Sequence, residues 1–143
     1  MKSLCLVAHG SRRQASNDEV REVAARLAEK AAGQFGHVDC GFLELAEPSI
    51  PDGIQRCIDA GATEVVVVPY FLSAGRHVSE DIPAEVEKKI TEHPDVAIRI
   101  SAYLGGAEQI TDLLMQSADH CRFCTDPENC HISKCSVSIR GAH

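Results

Sequence analysis

One run, EVVVVPY at residues 64–70, restricts the fold more than any other part of the sequence. Valine is β-branched and stiff at χ1, so four in succession favour extended backbone. The run does not alternate apolar with polar residues, so both faces of the strand are apolar. Such a strand belongs inside a parallel sheet covered on each side by helices. Three more apolar runs, at residues 4–8, 38–43 and 96–102, read as companion strands. Parallel neighbours need long crossovers, and the intervals between these runs are long enough to hold helices.

Helical patterns fill those intervals. Ser16 and Glu19 have capping-box spacing, and Val20, Val23, Ala24, Leu27, Ala28 and Ala31 then share one stripe. Ser49 reads as a second N-cap, with Ile50, Ile54, Cys57 and Ile58 inward and Gly61 as the stop. A third helix follows the acidic segment 79–81 and ends near Pro94. A fourth covers 107–118 and turns Ile110, Leu113 and Leu114 toward a core. The order β-α-β-α-β-α-β-α predicts an α/β fold, a three-layer sandwich in which helices flank a four-stranded parallel sheet. The chain is long enough for one such lobe, taken as residues 1–118, followed by a cysteine-rich tail at 119–143.

In an open parallel sheet, ligands bind beyond the carboxyl ends of the strands. His9 follows the first strand in CLVAHGSRRQ, and Glu44 and Glu47 follow the second in FLELAEPSIP. The third strand runs into PYFLSAGRHVSED, which brings Arg76 and His77 to the same edge. Two imidazoles with a carboxylate suit a borderline divalent ion such as Fe, Co, Ni or Zn. Two protein ligands leave coordination positions open, so an ion held this way can be passed on. Histidine also exchanges protons near neutral pH. Gly10, Ser11, Ser73, Ala74 and Gly75 leave room for a bulky ligand, and Arg12, Arg13 and Arg76 suit carboxylates on it.

Three separated motifs, LVAHGSR, LELAEPSIP and VVVPYFLSAGRHVSEDIP, closely resemble those of the small class II tetrapyrrole chelatases. The match runs in order from residue 1 to about 115. That resemblance implies insertion of a divalent metal into sirohydrochlorin without ATP, with loss of two pyrrole protons. Co2+ is the first expectation, with Fe2+ or Ni2+ as alternatives, in cobalamin- or siroheme-type biosynthesis. It further implies that His9 is a metal ligand and proton acceptor, that His77 is the second metal ligand, and that Glu47 is an acidic catalytic or substrate-site residue. Leu72, Ser73, Ala74, Gly75, Arg76 and His77 resemble the loop that holds the macrocycle. Family members of this length are similar to proteins that work as homodimers.

The tail, HCRFCTDPENCHISKC, spaces Cys121, Cys124, Cys130 and Cys135 as C-x2-C-x5-C-x4-C. Without a secretory signal at the N-terminus a disulfide framework is the weaker reading, and a Zn site or an iron–sulfur cluster the stronger. A net charge of −7 argues against nucleic acid as partner, and no apolar run of membrane-spanning length occurs, so the expected location is cytoplasmic. Two rivals remain. A histidine phosphatase would need an arginine directly before the strand-end histidine, where Ala8 stands. A metal-carrier or metal-storage protein would use the same histidines and the cysteine tail without turnover.

Overall fold

The computed structural model describes residues 1–123, 125, 126 and 128. Contacts divide the chain into two compact units, Met1–Gly106 and one beginning at Ala107, each described by itself. In the first unit, β1 (Lys2–Ala8), β2 (His37–Phe42), β3 (Glu64–Pro69) and β4 (Ala97–Ile100) form one sheet in the order β2-β1-β3-β4, with every pairing parallel. The connecting helices are α1 (Gln14–Lys30), α2 (Ile50–Asp59) and α3 (Ile82–Glu92).

The two apolar faces expected of the central strands are both covered. Leu4, Leu6 and Ala8 of β1 pack with Ala24 of α1 and with Cys40 and Phe42 of β2. Cys5 and Val7, on the other side, pack with Ile50, Ile54 and Cys57 of α2 and Ile82 and Val86 of α3. Helix α1 therefore lies on one face, and α2 and α3 on the other. Fully burying a Val, Leu or Ile side chain contributes about 1.5–3 kcal/mol, so these two layers hold the sheet rigid beneath its loops. Strand β4 is shorter than expected because only four of its residues pair with β3, and Ala97, Arg99 and Ile100 are exposed.

The start of α1 differs from the capping-box expectation. The helix begins at Gln14, its N-cap is Arg13, and no side chain caps it. Ser16 lies inside the first turn, where its N–H donates to the Arg13 carbonyl (3.1 Å). The serine that serves the turn is Ser11, whose hydroxyl accepts from Arg13 N–H (3.0 Å). The second cap is as expected: Ser49 Oγ accepts from Asp52 N–H (3.2 Å). Gly61, just past α2, takes φ +105°, the left-handed conformation that ends helices.

The outer edge of β2 is occupied from within the chain. Phe42 N–H donates to the Pro48 carbonyl (2.8 Å), and Cys40 N–H to the carboxylate of Asp39 (2.8 Å). In the second unit, α4 (Ile110–Ala118) is a helix as expected, but the core expected for it is not formed. Leu113 and Leu114 are 46% and 63% exposed, and none of its residues is buried. Apolar spacing reveals that a helix has a face, not what covers it. Among the described residues no helix is long and apolar enough to cross a membrane.

Candidate metal centre

The strand order places β1 and β3 side by side at the point where the chain reverses its direction of winding, the position at which doubly wound sheets bind ligands. His9 leaves the end of β1. His77 opens a π-helical turn, His77–Asp81, that runs directly into α3. Their rings meet edge to face with centroids 4.7 Å apart. Two histidines 68 positions apart are thus brought together by the parallel pairing of β1 and β3 and by the loop that returns from β3.

Each ring is oriented by a second group. His9 Nδ1 lies 3.0 Å from the Gly10 carbonyl, which can only accept, so Nδ1 carries the proton and donates it. His9 Nε2 then faces Glu44 Oε1 at 3.2 Å. Imidazole lone pair and carboxylate both accept, so what fits between them is a cation, either a proton or a metal ion. His77 Nδ1 donates to Asp81 Oδ2 (2.8 Å), one helical turn on, which leaves Nε2 of His77 as its free nitrogen. A carboxylate behind the ring fixes its orientation and its tautomer. Both rings are partly exposed, at 39% for His9 and 47% for His77, so a ligand reaches them from solvent.

Gly10 makes the arrangement close. It has φ +93°, and a Cβ built on it would fall inside the contact distance of the Glu44 carbonyl. Glu44 N–H donates to the His9 carbonyl (3.0 Å), which holds the acidic loop against the histidine loop. Leu45, next in sequence, adopts φ +66°, so the chain turns sharply just after this carboxylate. Gly105 does the same service for the loop that follows β3. Its N–H donates to the Phe71 carbonyl (2.9 Å), and a Cβ there would meet the Leu72 carbonyl.

Glu44, left by sequence reasoning as one of two acidic residues after β2, is the carboxylate in contact with His9. Its signal was its place two residues past the strand end. Glu47 is elsewhere engaged: its carbonyl accepts from Arg21 (2.7 Å), and it lines a cavity of about 350 Å3 with Arg21, Asp39, Cys40, Pro48 and Arg56. Among the described residues it has no hydrogen bond or ion pair with either histidine. Leu72, Ser73, Ala74, Gly75 and Arg76 are all exposed in the loop before His77, and Arg76 pairs with Glu80 (3.4 Å). Asp81 and Asn17, the latter clamped to Ser11, are further residues that the sequence did not single out. No three His, Cys, Asp or Glu side chains among the described residues form a ready-made cage. Cys124, Cys130 and Cys135 of the tail lie outside the described residues.

A model of the CbiX family matches residues 3–121. The chain belongs to the CbiX family. This CbiX chain is 36% identical over 118 residues to a sirohydrochlorin ferrochelatase of Arabidopsis thaliana, a match covering 82% of this chain and 52% of that protein. It is 46% identical over 83 residues to a sirohydrochlorin cobaltochelatase of Methanococcus maripaludis, covering 58% and 56%. Among solved structures, the sirohydrochlorin chelatase SirB from Bacillus subtilis subspecies spizizenii in complex with cobalt superimposes with a TM-score of 0.65 at 29% identity. That match covers 83% of this chain and 51% of SirB. The CbiX chain spans about half the length of the curated relatives it matches.

Proposed function

We propose that this chain is a sirohydrochlorin chelatase that inserts a divalent metal into the macrocycle without ATP, with Co2+ first and Fe2+ or Ni2+ as alternatives. One observation carries the reading: His9 and His77 face each other at the strand switch point, and Glu44 faces the free nitrogen of His9. The names of the relatives, cobaltochelatase and ferrochelatase, support the substrate.

In this reading the ion is the substrate, held by Nε2 of His9 and Nε2 of His77. Few protein ligands and an open mouth mean that pyrrole nitrogens can replace imidazole one at a time. Each pyrrole N–H must lose its proton as the metal enters. His9, once relieved of the metal, has a lone pair facing Glu44; it takes each of the two pyrrole protons in turn into that pair and passes it through Glu44 to solvent. Glu44 is the nearer carboxylate for relaying it. Glu47 is the second proposed acidic residue, supported by its place in the Glu-Pro motif. The exposed loop of Leu72, Ser73, Ala74, Gly75 and Arg76 is proposed to carry the macrocycle, and Arg12, Arg13 and Arg76 to meet its carboxylates.

The reading extends to a cytoplasmic homodimer, supported by resemblance to short family members. It takes residues 1–118 as the chelatase part, supported by the family match up to residue 121, and 119–143 as a tail. For Zn or an iron–sulfur cluster on that tail, the support is the cysteine spacing alone. Metal insertion into sirohydrochlorin, followed by absorbance with Co2+, Fe2+ and Ni2+ in parallel, tests the function. Wild type should turn over at least one ion and His9→Ala none, with its circular dichroism unchanged. Binding of metal with no insertion by wild type would point instead to a carrier.

A further inference from the structure

We propose that Asn17 is the positioning residue for the imidazole of His9 and thereby a determinant of metal affinity, an inference that rests on the function proposed above. Asn17 lies in the first turn of α1 and is only 3% exposed, an unusual place for an asparagine. Both ends of its amide are spent on one residue. Oδ1 accepts from Ser11 N–H (2.9 Å), and Nδ2 donates to the Ser11 carbonyl (2.8 Å).

The consequence follows from covalent geometry. Ser11 N–H and the Gly10 carbonyl belong to one planar peptide unit, so fixing one end fixes the other. The Gly10 carbonyl is the acceptor for Nδ1–H of His9 (3.0 Å). Asn17 is therefore connected to the imidazole through a single rigid plane, with amide oxygen, peptide N–H, peptide C=O and ring N–H in series. Hydrogen bonds in series polarise one another, so the Asn17 bond also strengthens the ring's hold. Gly10 itself is a flexible residue in a left-handed conformation, and without a clamp its peptide plane is free to rotate. A rotated plane no longer selects the Nδ1–H tautomer, and Nε2 is no longer reserved for the ion. Asn17 is buried and its amide bonds Ser11 rather than either histidine, so its role is to position.

Outer residues that orient a ligating histidine typically change metal affinity 10–100-fold, and Asn17→Ala is expected to weaken Co2+ binding by about tenfold or more. Cobalt affinity is measured by titration on folded protein, together with kcat and KM for sirohydrochlorin. The tautomer of His9 is read from its ring 15N shifts in the metal-free protein. Leu27→Ala, further along the same helix and packed into the α1 core, serves as a variant destabilised without touching the clamp. The expected result is weaker cobalt binding, lower kcat, a KM within about twofold of wild type and a mixed His9 tautomer in Asn17→Ala alone. Equal cobalt affinity and an unchanged tautomer in Asn17→Ala would overturn the inference, as would an equal loss in Leu27→Ala. Should wild type neither bind cobalt nor insert it, the proposed function fails first and takes this inference with it.

Discussion

Replacing Gly10 by alanine tests the site and the fold together. An alanine at φ +93° pays for a left-handed backbone, about 1–2 kcal/mol. Gly61 gives the matched reference: its φ is +105°, and an added Cβ there would find nothing within 4 Å. Gly61→Ala should therefore cost the backbone term alone. At Gly10 the new methyl meets the Glu44 carbonyl, a backbone atom that cannot swing aside like a side-chain tip. Forcing a methyl into a closed contact costs about 1–3 kcal/mol. Moving the Glu44 peptide also strains its bond to the His9 carbonyl, a net contribution of about 1 kcal/mol. Gly10→Ala should thus lose about 3–6 kcal/mol against about 1–2 for Gly61→Ala. Urea unfolding of both variants at equal slope reads the difference directly. Cobalt titration of folded Gly10→Ala should also show weakened binding, because Glu44 is pushed from His9, whereas Gly61→Ala should bind normally. A Gly10→Ala variant no less stable than Gly61→Ala would refute the close approach of the two loops.

Two further outcomes are expected. Glu44→Gln should weaken cobalt binding by about tenfold and slow insertion, since it removes the charge facing Nε2 of His9; a larger loss in a parallel Glu47→Gln variant would transfer the acidic role to Glu47. Glu92 titrates below the ordinary carboxylate range, chiefly because Lys89 donates a hydrogen bond to it (2.7 Å) and adds its charge. A lowered carboxylate stabilises the fold above its unfolded titration range and loses that contribution as pH falls through the folded value. Glu92→Gln should therefore melt below wild type at pH 7, with the gap closing in acid below about pH 4. A gap that stays constant with pH would refute the pairing.

Much of the fold was legible because it depends on local chemistry that repeats. The valine run suits a doubly covered strand, and a parallel sheet then sends the loops after β1 and β3, with His9 and His77, to one edge. The Ser49 cap and the Gly61 stop were equally local. What escaped depends on contacts that the sequence does not encode locally. Ser16 has the right spacing to cap α1, but Ser11 and Asn17 tie the preceding loop and start the helix a turn earlier. Leu113 and Leu114 form an apolar face, yet covering it needs a partner surface that periodicity does not specify. The choice between Glu44 and Glu47 turns on the path of three residues. Leu45 takes a left-handed conformation that leucine does not advertise, and this leaves Glu44 beside His9.

The edge of the sheet at β2 has its own implication for how copies of this chain meet. An exposed strand edge with open N–H groups recruits a neighbouring strand, and natural sheets avoid this with charge or by covering the edge. Here the Asp39 carboxylate takes the Cys40 N–H and the Pro48 carbonyl takes that of Phe42. A strand arriving from another molecule would have to displace a charged acceptor before gaining its first bond. Sheet extension at β2 is therefore disfavoured, and the same two bonds guard that edge against fibre-like stacking at high concentration.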